Sequence, residues 1–359
     1  MIDSFIRTWF LISPTELPTN FEELKSGLLP NIDCRSVYEV ERLQSKPGKD
    51  RPYLPLGEYL GAGLAYDLPE FKTILNHDGL KEAGVGFDDA FRAACDNLRA
   101  KSQQGFVSCA PGVWWSPWRD NYDASRLLLP DLIRRHPVRG THLAMVPNRD
   151  LLLVTGSEDE AGMGVMASLA EEALGQPWAL SGLTFLLDGD SWHPVGTPEG
   201  HSHHRQFQLL RYQAFAHEYS EQRQPLKDFY LAKGEDVFVG NYFAAEEPNS
   251  GQLYSYAMLT VGLDTLLPLT DRVGFAIPKA PLERGLPLDF DRMPPVPLTR
   301  FREVAGYCLE PLDVFPRRFR VRTFPSPKDL DVLRKYQGPS DAAPWCVTLS
   351  SPCGGYCDY

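Results

Sequence analysis

The chain predicts a mixed α/β (α+β) fold, with mixed or antiparallel sheets flanked by helices and packed as two subdomains. Three observations carry that reading. Apolar runs closed by turn residues recur as hairpins, most plainly over 142–154. Between them stand stretches with apolar residues at helical spacing. At 359 residues the chain also exceeds the length that one hydrophobic core usually organises. Its 43% apolar share, with 11% aromatics, is that of a globular protein and not a disordered one.

Prolines at 14, 18, 30, 47, 52, 55 and 69 interrupt the apolar runs of the first eighty residues, which predicts short strands and turns there. From Phe87 the spacing changes. Phe87, Phe91, Ala94, Cys95 and Leu98 share one face and Asp88, Asp89, Arg92, Asp96 and Arg99 the other, an amphipathic helix ending near Lys101. Trp114, Trp115 and Trp118 are expected in a proline-containing loop, and Pro130 suits the first position of a helix reaching Arg135. The run from His142 to Val154 reads as two buried strands joined by a charged outer tip at Pro147, Asn148, Arg149 and Asp150.

Acidic residues 158–160 precede a helix that carries Met163, Met166, Leu169, Ala170, Ala173 and Leu174 on one face, an arrangement that suits the helix dipole. Asp188-Gly189-Asp190 predicts a second hairpin over 183–195. A long helix runs from His204 to about Gln224, where Pro225 stops it. A third hairpin joins 236–245 to 252–260 through a turn at 248–251, and a further strand spans 272–277. Residues 278–297, rich in proline, read as a loop or linker, and 330–336 as a short helix. The expected division is 1–180, 181–325 and a Pro-, Gly- and Cys-containing tail at 326–359.

A formal net charge of −11 disfavours a general nucleic-acid binder, whose phosphate contacts need a basic surface. Seven cysteines, at 34, 95, 109, 308, 346, 353 and 357, are too sparse for a secreted disulfide scaffold. No apolar run approaches the roughly 18 residues a membrane span needs. The expectation is a soluble, cytoplasmic protein with mostly reduced thiols and no membrane partner.

Four segments, Asp123–Asp131, Val146–Val154, Gly234–Tyr242 and Leu253–Ala257, in this order and spacing, resemble the YtpQ-like bacterial proteins, a family defined by a domain of unknown function. The resemblance covers about Phe87 to Pro325. It implies a cytoplasmic bacterial α/β protein and transfers no catalytic residue, because its motifs are turn and core positions.

Candidate chemistry is sparse. His201, His203 and His204, near Glu199 and His193, have the donor types zinc takes, but adjacent positions 203 and 204 point in different directions on any regular element, and capping by Thr197 or Ser202 explains the composition without a metal. Cys353 and Cys357, with Cys346, have three intervening residues where ribbon and redox motifs have two. Arg318, Arg320 and Arg322 alternate with Phe319 and Val321, placing three guanidinium groups on one face; a solvated face balanced by carboxylates is the ordinary reading and an anion-binding face the functional one. Arg149 pairs with Asp150 or caps the turn. Trp114, Trp115 and Trp118 offer an interface patch, although large aromatics mostly fill cores. There is no Gly-x-Ser-x-Gly elbow, and Gly162-Met-Gly164 lacks the offsets of a phosphate-cradling loop.

The favoured function is therefore a non-enzymatic interaction or binding protein without a cofactor. Its partner is another protein or a small anionic ligand, held by the tryptophan loop, Arg149 or the arginine strand. The rival is a metal-dependent hydrolase using His201, His203 or His204.

Overall fold

The computed structural model describes residues 17–68, 72–247, 250–278 and 290–336. Four sheets and a set of helices make an α+β architecture. Strands β1 (Leu28–Cys34), β2 (Leu54–Leu56), β3 (Leu60–Asp67) and β4 (Lys72–Ile74) form the first sheet, with β3 paired antiparallel to the other three. Helix α1 (Arg35–Gln44) follows β1 directly, an element the proline count hid. No proline falls between positions 30 and 47, so the interval has room for three helical turns, and Ser36, Tyr38 and Glu39 supply its buried side.

The predicted amphipathic helix is present as α2 (Phe87–Lys101), with Asp88 and Asp89 in its first turn. Strands β5 (Val107–Ala110) and β6 (Val113–Trp115) then form a hairpin, so Trp114 and Trp115 lie on a strand and not in a loop. Their alternation explains the difference: Trp114 packs toward one core and Trp115 toward another, as successive strand residues do. The helix opened by Pro130 ends at Ile133, short of Arg135.

Strands β7 (His142–Asn148) and β8 (Leu151–Gly156) make the expected hairpin, and β9 (Thr184–Asp188) and β10 (Ser191–Val195) the next, turned by Gly189 at φ 54°. Together with β5 and β6 they form a six-stranded sheet in the order β10-β9-β7-β8-β6-β5, so strands from both sides of residue 180 share one sheet. Helix α3 (Glu160–Leu174), N-capped by Asp159, covers one face. Leu143, Met145 and Leu153 meet Met163, Met166 and Ala167 of this helix, while Ala144, Val146, Leu152 and Val154 face the main core. Cover on both faces is why this hairpin is apolar at nearly every position. The main core gathers residues from Leu29 to Tyr219.

Helix α4 (His204–Glu221) is followed at once by α5 (Arg223–Ala232). Pro225 thus stands in the first turn of a second helix, where a missing N–H breaks no intrahelical bond. The predicted strand 236–245 divides into β11 (Phe238–Val239) and β12 (Phe243–Glu246), which enter different sheets. β13 (Leu253–Thr260) pairs with β12 as expected, although positions 248 and 249 of the connecting turn lie outside the described residues. β14 (Thr265–Pro268) and β15 (Arg272–Pro278) follow.

The proline-rich stretch read as a loop contains β16 (Phe290–Pro297), antiparallel to β15. Sheet geometry permits this: β16 is an edge strand, and the register shifts between Val273 and Phe275, where Pro294 and Pro295 stand opposite. Helix α6 (Leu298–Ala305), β17 (Glu310–Pro311), β18 (Arg318–Val321) and α7 (Pro327–Arg334), opened by a capping box of Ser326 and Asp329, complete the described chain. Cys346, Cys353 and Cys357 lie outside the described residues. Among those residues no helix is long and apolar enough to cross a membrane.

Candidate functional site

Several side chains singled out by sequence are internal braces. Arg318 is fully buried: its Nε donates to Gln222 Oε1 at 2.6 Å, one terminal nitrogen to the carbonyls of Gly240 and Leu266, and the other to Tyr219 O. Burial pushes it down to about 9. Arg320 chelates Asp264, also meets Glu235 and is raised, mainly by the Asp264 hydrogen bond. Only Arg322 of the three is solvated, 3.7 Å from Glu310. The arginine face is therefore not a solvated one, because β18 pairs with β14 beneath α4 and α5, and backbone carbonyls there need donors.

The tryptophans do not form one patch. Trp114 donates to Pro137 O and stacks near His136, Trp115 joins the α3 core, and Trp118 lies under the Arg126 guanidinium at 3.9 Å. His201 and His203 have ring centroids 5.8 Å apart beside a cleft of about 510 Å³ lined by Arg139, Glu160 and Ser202 among others. His204 turns away to Thr197, its Nδ1 2.9 Å from the carbonyl oxygen. Among the described residues no group of three His, Cys, Asp or Glu side chains is placed to hold a metal.

Arg149 behaves differently, and the tip it occupies is not an outer bend. The chain reverses at Arg149 and Asp150, with Pro147 and Asn148 still in β7. Residues 178–181 run alongside: Leu180 and Ser181 donate to Pro147 and Val146 carbonyls, and Arg149 N to Trp178 O. Asn148 is buried, its Nδ2 bonded to Pro177 O. The Arg149 guanidinium lies 3.8 Å from the centroid of the Trp178 ring. A strand-like segment beside β7 thus encloses side chains that a bare hairpin would expose.

Against this tip the first sheet presents Asn31, Asp33 and Lys72. Asn31 and Asp33 are two apart on β1 and share a face. Lys72 is directly opposite Asp67 on β3, and Gly63 stands opposite Asn31. Alternation puts Gly63, Ala65 and Asp67 on one face, where Tyr38 packs over Gly63 and the lysine stem crosses β3 to reach β1. Lys72 Nζ donates to Asn31 Oδ1 at 2.7 Å and stands 5.1 Å from the centre of the Tyr122 ring. Tyr122 in turn donates to Asp67 at 3.2 Å.

The electrostatics mark this cluster out. Burial, then the Arg149 charge, push Lys72 down to about 8 against the pull of Asp33, Asp150 and Asp67. Burial raises Asp33 although Arg51, Lys72 and Arg149 oppose it, and burial lowers Arg149. Arg149 Nε and Asp150 Oδ1 are buried without a hydrogen-bond partner among the described residues. Of the three N–H groups of Lys72, Asn31 takes one. Arg149 Nε and Asp150 Oδ2 form an ion pair at 3.8 Å, and the donors and acceptor left without hydrogen bonds, in a partly buried place with shifted ionisation, are what a polar ligand requires. Asn31, Asp33, Lys72 and Tyr122 escaped the sequence reading. Its available signal was polar Asn31 and Asp33 at alternate positions of the otherwise apolar run 28–34.

The chain is similar to the UPF0354 protein ABC2771 of Shouchella clausii (strain KSM-K16), with 24% identity over 184 residues that cover 48% of this chain and 69% of that protein. No family model and no solved structure matches the chain. The relative carries the label of an uncharacterised family, so the likeness assigns no activity.

Proposed function

We propose that this chain is a binding protein for a small anionic ligand, held between Lys72 and Arg149. The observation that carries the reading is the buried Nε of Arg149, which makes no hydrogen bond among the described residues and stands 3.8 Å from Asp150 Oδ2, together with an ammonium that has a single acceptor and feels the Arg149 charge. An incoming carboxylate or phosphate oxygen would satisfy both donors, and charge-assisted bonds of this type are each worth about 1.5–3 kcal/mol. Asp150 Oδ1 is left to accept from a hydroxyl or ammonium of the same ligand. The motif order over Asp123–Ala257 supports a YtpQ-like kinship and a cytoplasmic location as part of this reading.

Thermal unfolding with phosphate, sulfate, acetate or citrate, at constant ionic strength, tests it. At least one anion is expected to stabilise the wild-type protein, by about 2.7 kcal/mol at a hundred times its Kd, and to lose that effect in Lys72→Met and Arg149→Gln. Equal responses of wild type and both variants to every anion would refute the site.

A further inference from the structure

We infer that Lys72 captures carbonyl compounds: it forms a reversible imine with a small aldehyde or 2-oxo acid whose carboxylate is held by Arg149. This rests on the anion site proposed above and adds the ligand's chemical class. The geometry carries it. Asn31 Oδ1 holds the lysine nitrogen at 2.7 Å, so the nucleophile has a fixed position, and the Tyr122 ring limits it on another side. Arg149 Nε is buried and makes no hydrogen bond among the described residues, its ion pair with Asp150 Oδ2 being a loose 3.8 Å, so it can donate to an incoming carboxylate, and Asp150 Oδ1 can accept from the carbinolamine hydroxyl. Burial and the neighbouring guanidinium hold the ammonium down at about 8, so at neutral pH an appreciable fraction is free amine, unlike an ordinary surface lysine near 10.5.

The step balances without an oxidant or reductant. The Nζ lone pair adds to the carbonyl carbon while the C=O π pair moves to oxygen. Both amine protons then leave with that oxygen as one water molecule, and C=N remains. Reversal needs only water.

Pyruvate and cyanoborohydride, applied to the full chain, make the imine permanent as a carboxyethyl amine that intact mass and peptide mapping locate. One group per chain is expected, on Lys72, with a yield that saturates in pyruvate. Lys25, Lys49 and Lys101 are largely exposed, so labelling by accessibility alone would favour them. Lys72→Arg should abolish the mapped adduct. Arg149→Gln should raise the half-saturating pyruvate concentration about ten-fold or more, the equivalent of one charge-assisted hydrogen bond. Labelling spread over the exposed lysines without saturation, or an unchanged yield in Lys72→Arg, would overturn the inference. An anion-dependent thermal shift in wild-type protein whose Lys72 stays unlabelled would sink the imine and leave anion binding standing. Saturable Lys72 labelling that Arg149→Gln does not weaken would sink the carboxylate contact.

Discussion

Glu218→Gln is expected to remove much of this protein's loss of stability as pH rises from about 5 to about 8. Glu218 sits on α4 at 1% exposure, and neither carboxyl oxygen has a hydrogen-bond partner among the described residues. Burial raises it to about 8, with Arg35 opposing weakly, whereas the unfolded chain ionises near 4.5. Between those values the folded state keeps a proton that the unfolded state has released, so stability falls as pH rises. The gap between 4.5 and about 8 corresponds to a ceiling on the order of 5 kcal/mol. Glutamine preserves the shape without the titration. Its own unpartnered amide costs about 1–3 kcal/mol at every pH. Urea unfolding of both proteins from pH 5 to 9 measures the effect. The wild-type free energy should decline relative to the variant by several kcal/mol, level off above pH 8 and cross it on the way. Parallel curves across that range would refute the argument that this carboxyl is buried and uncompensated.

Lys72 works in the opposite sense at higher pH. Its folded value of about 8 lies below the ordinary 10.5, so its contribution to stability rises over that interval, and Lys72→Met should flatten the rise while unfolding no more easily than wild type at pH 7. Arg318→Met should cost about 3–5 kcal/mol in urea unfolding, because Gln222 Oε1 and the carbonyls of Gly240 and Leu266 lose their donor. Gly156→Ala should lower the melting temperature, at a cost of about 1–3 kcal/mol or more, since its methyl would stand 2.0 Å from the Arg139 carbonyl oxygen; a neutral result would mean that the Arg139 backbone yields freely.

Elements governed by local rules were legible. The helix 87–101, the Asp188–Asp190 turn and the hairpin 142–156 follow from periodicity, acidic first turns and positive φ, none of which needs distant residues. Elements governed by neighbours were not. β16 tolerates Pro294 and Pro295 because it has an edge position and a register shift, and neither property is written in those letters. The same holds for the arginines of β18: alternation correctly placed Arg318 and Arg320 on one face, but only the packing of α4 and α5 made that face an interior.

The candidate site divides in the same way. Residue order alone determined that a hairpin would form over 142–154 with its tip at 147–150, and the structure narrows the reversal to Arg149 and Asp150. Tertiary structure decided that residues 178–181 enclose the tip, that Lys72 crosses β3 to reach Asn31, and that charges from positions 33, 72, 149 and 150 influence one another. Backbone preferences act over a few residues and can be read in order along the chain. Desolvation and Coulomb interactions depend on distance in space, and folding brings together positions as far apart in sequence as 33 and 150.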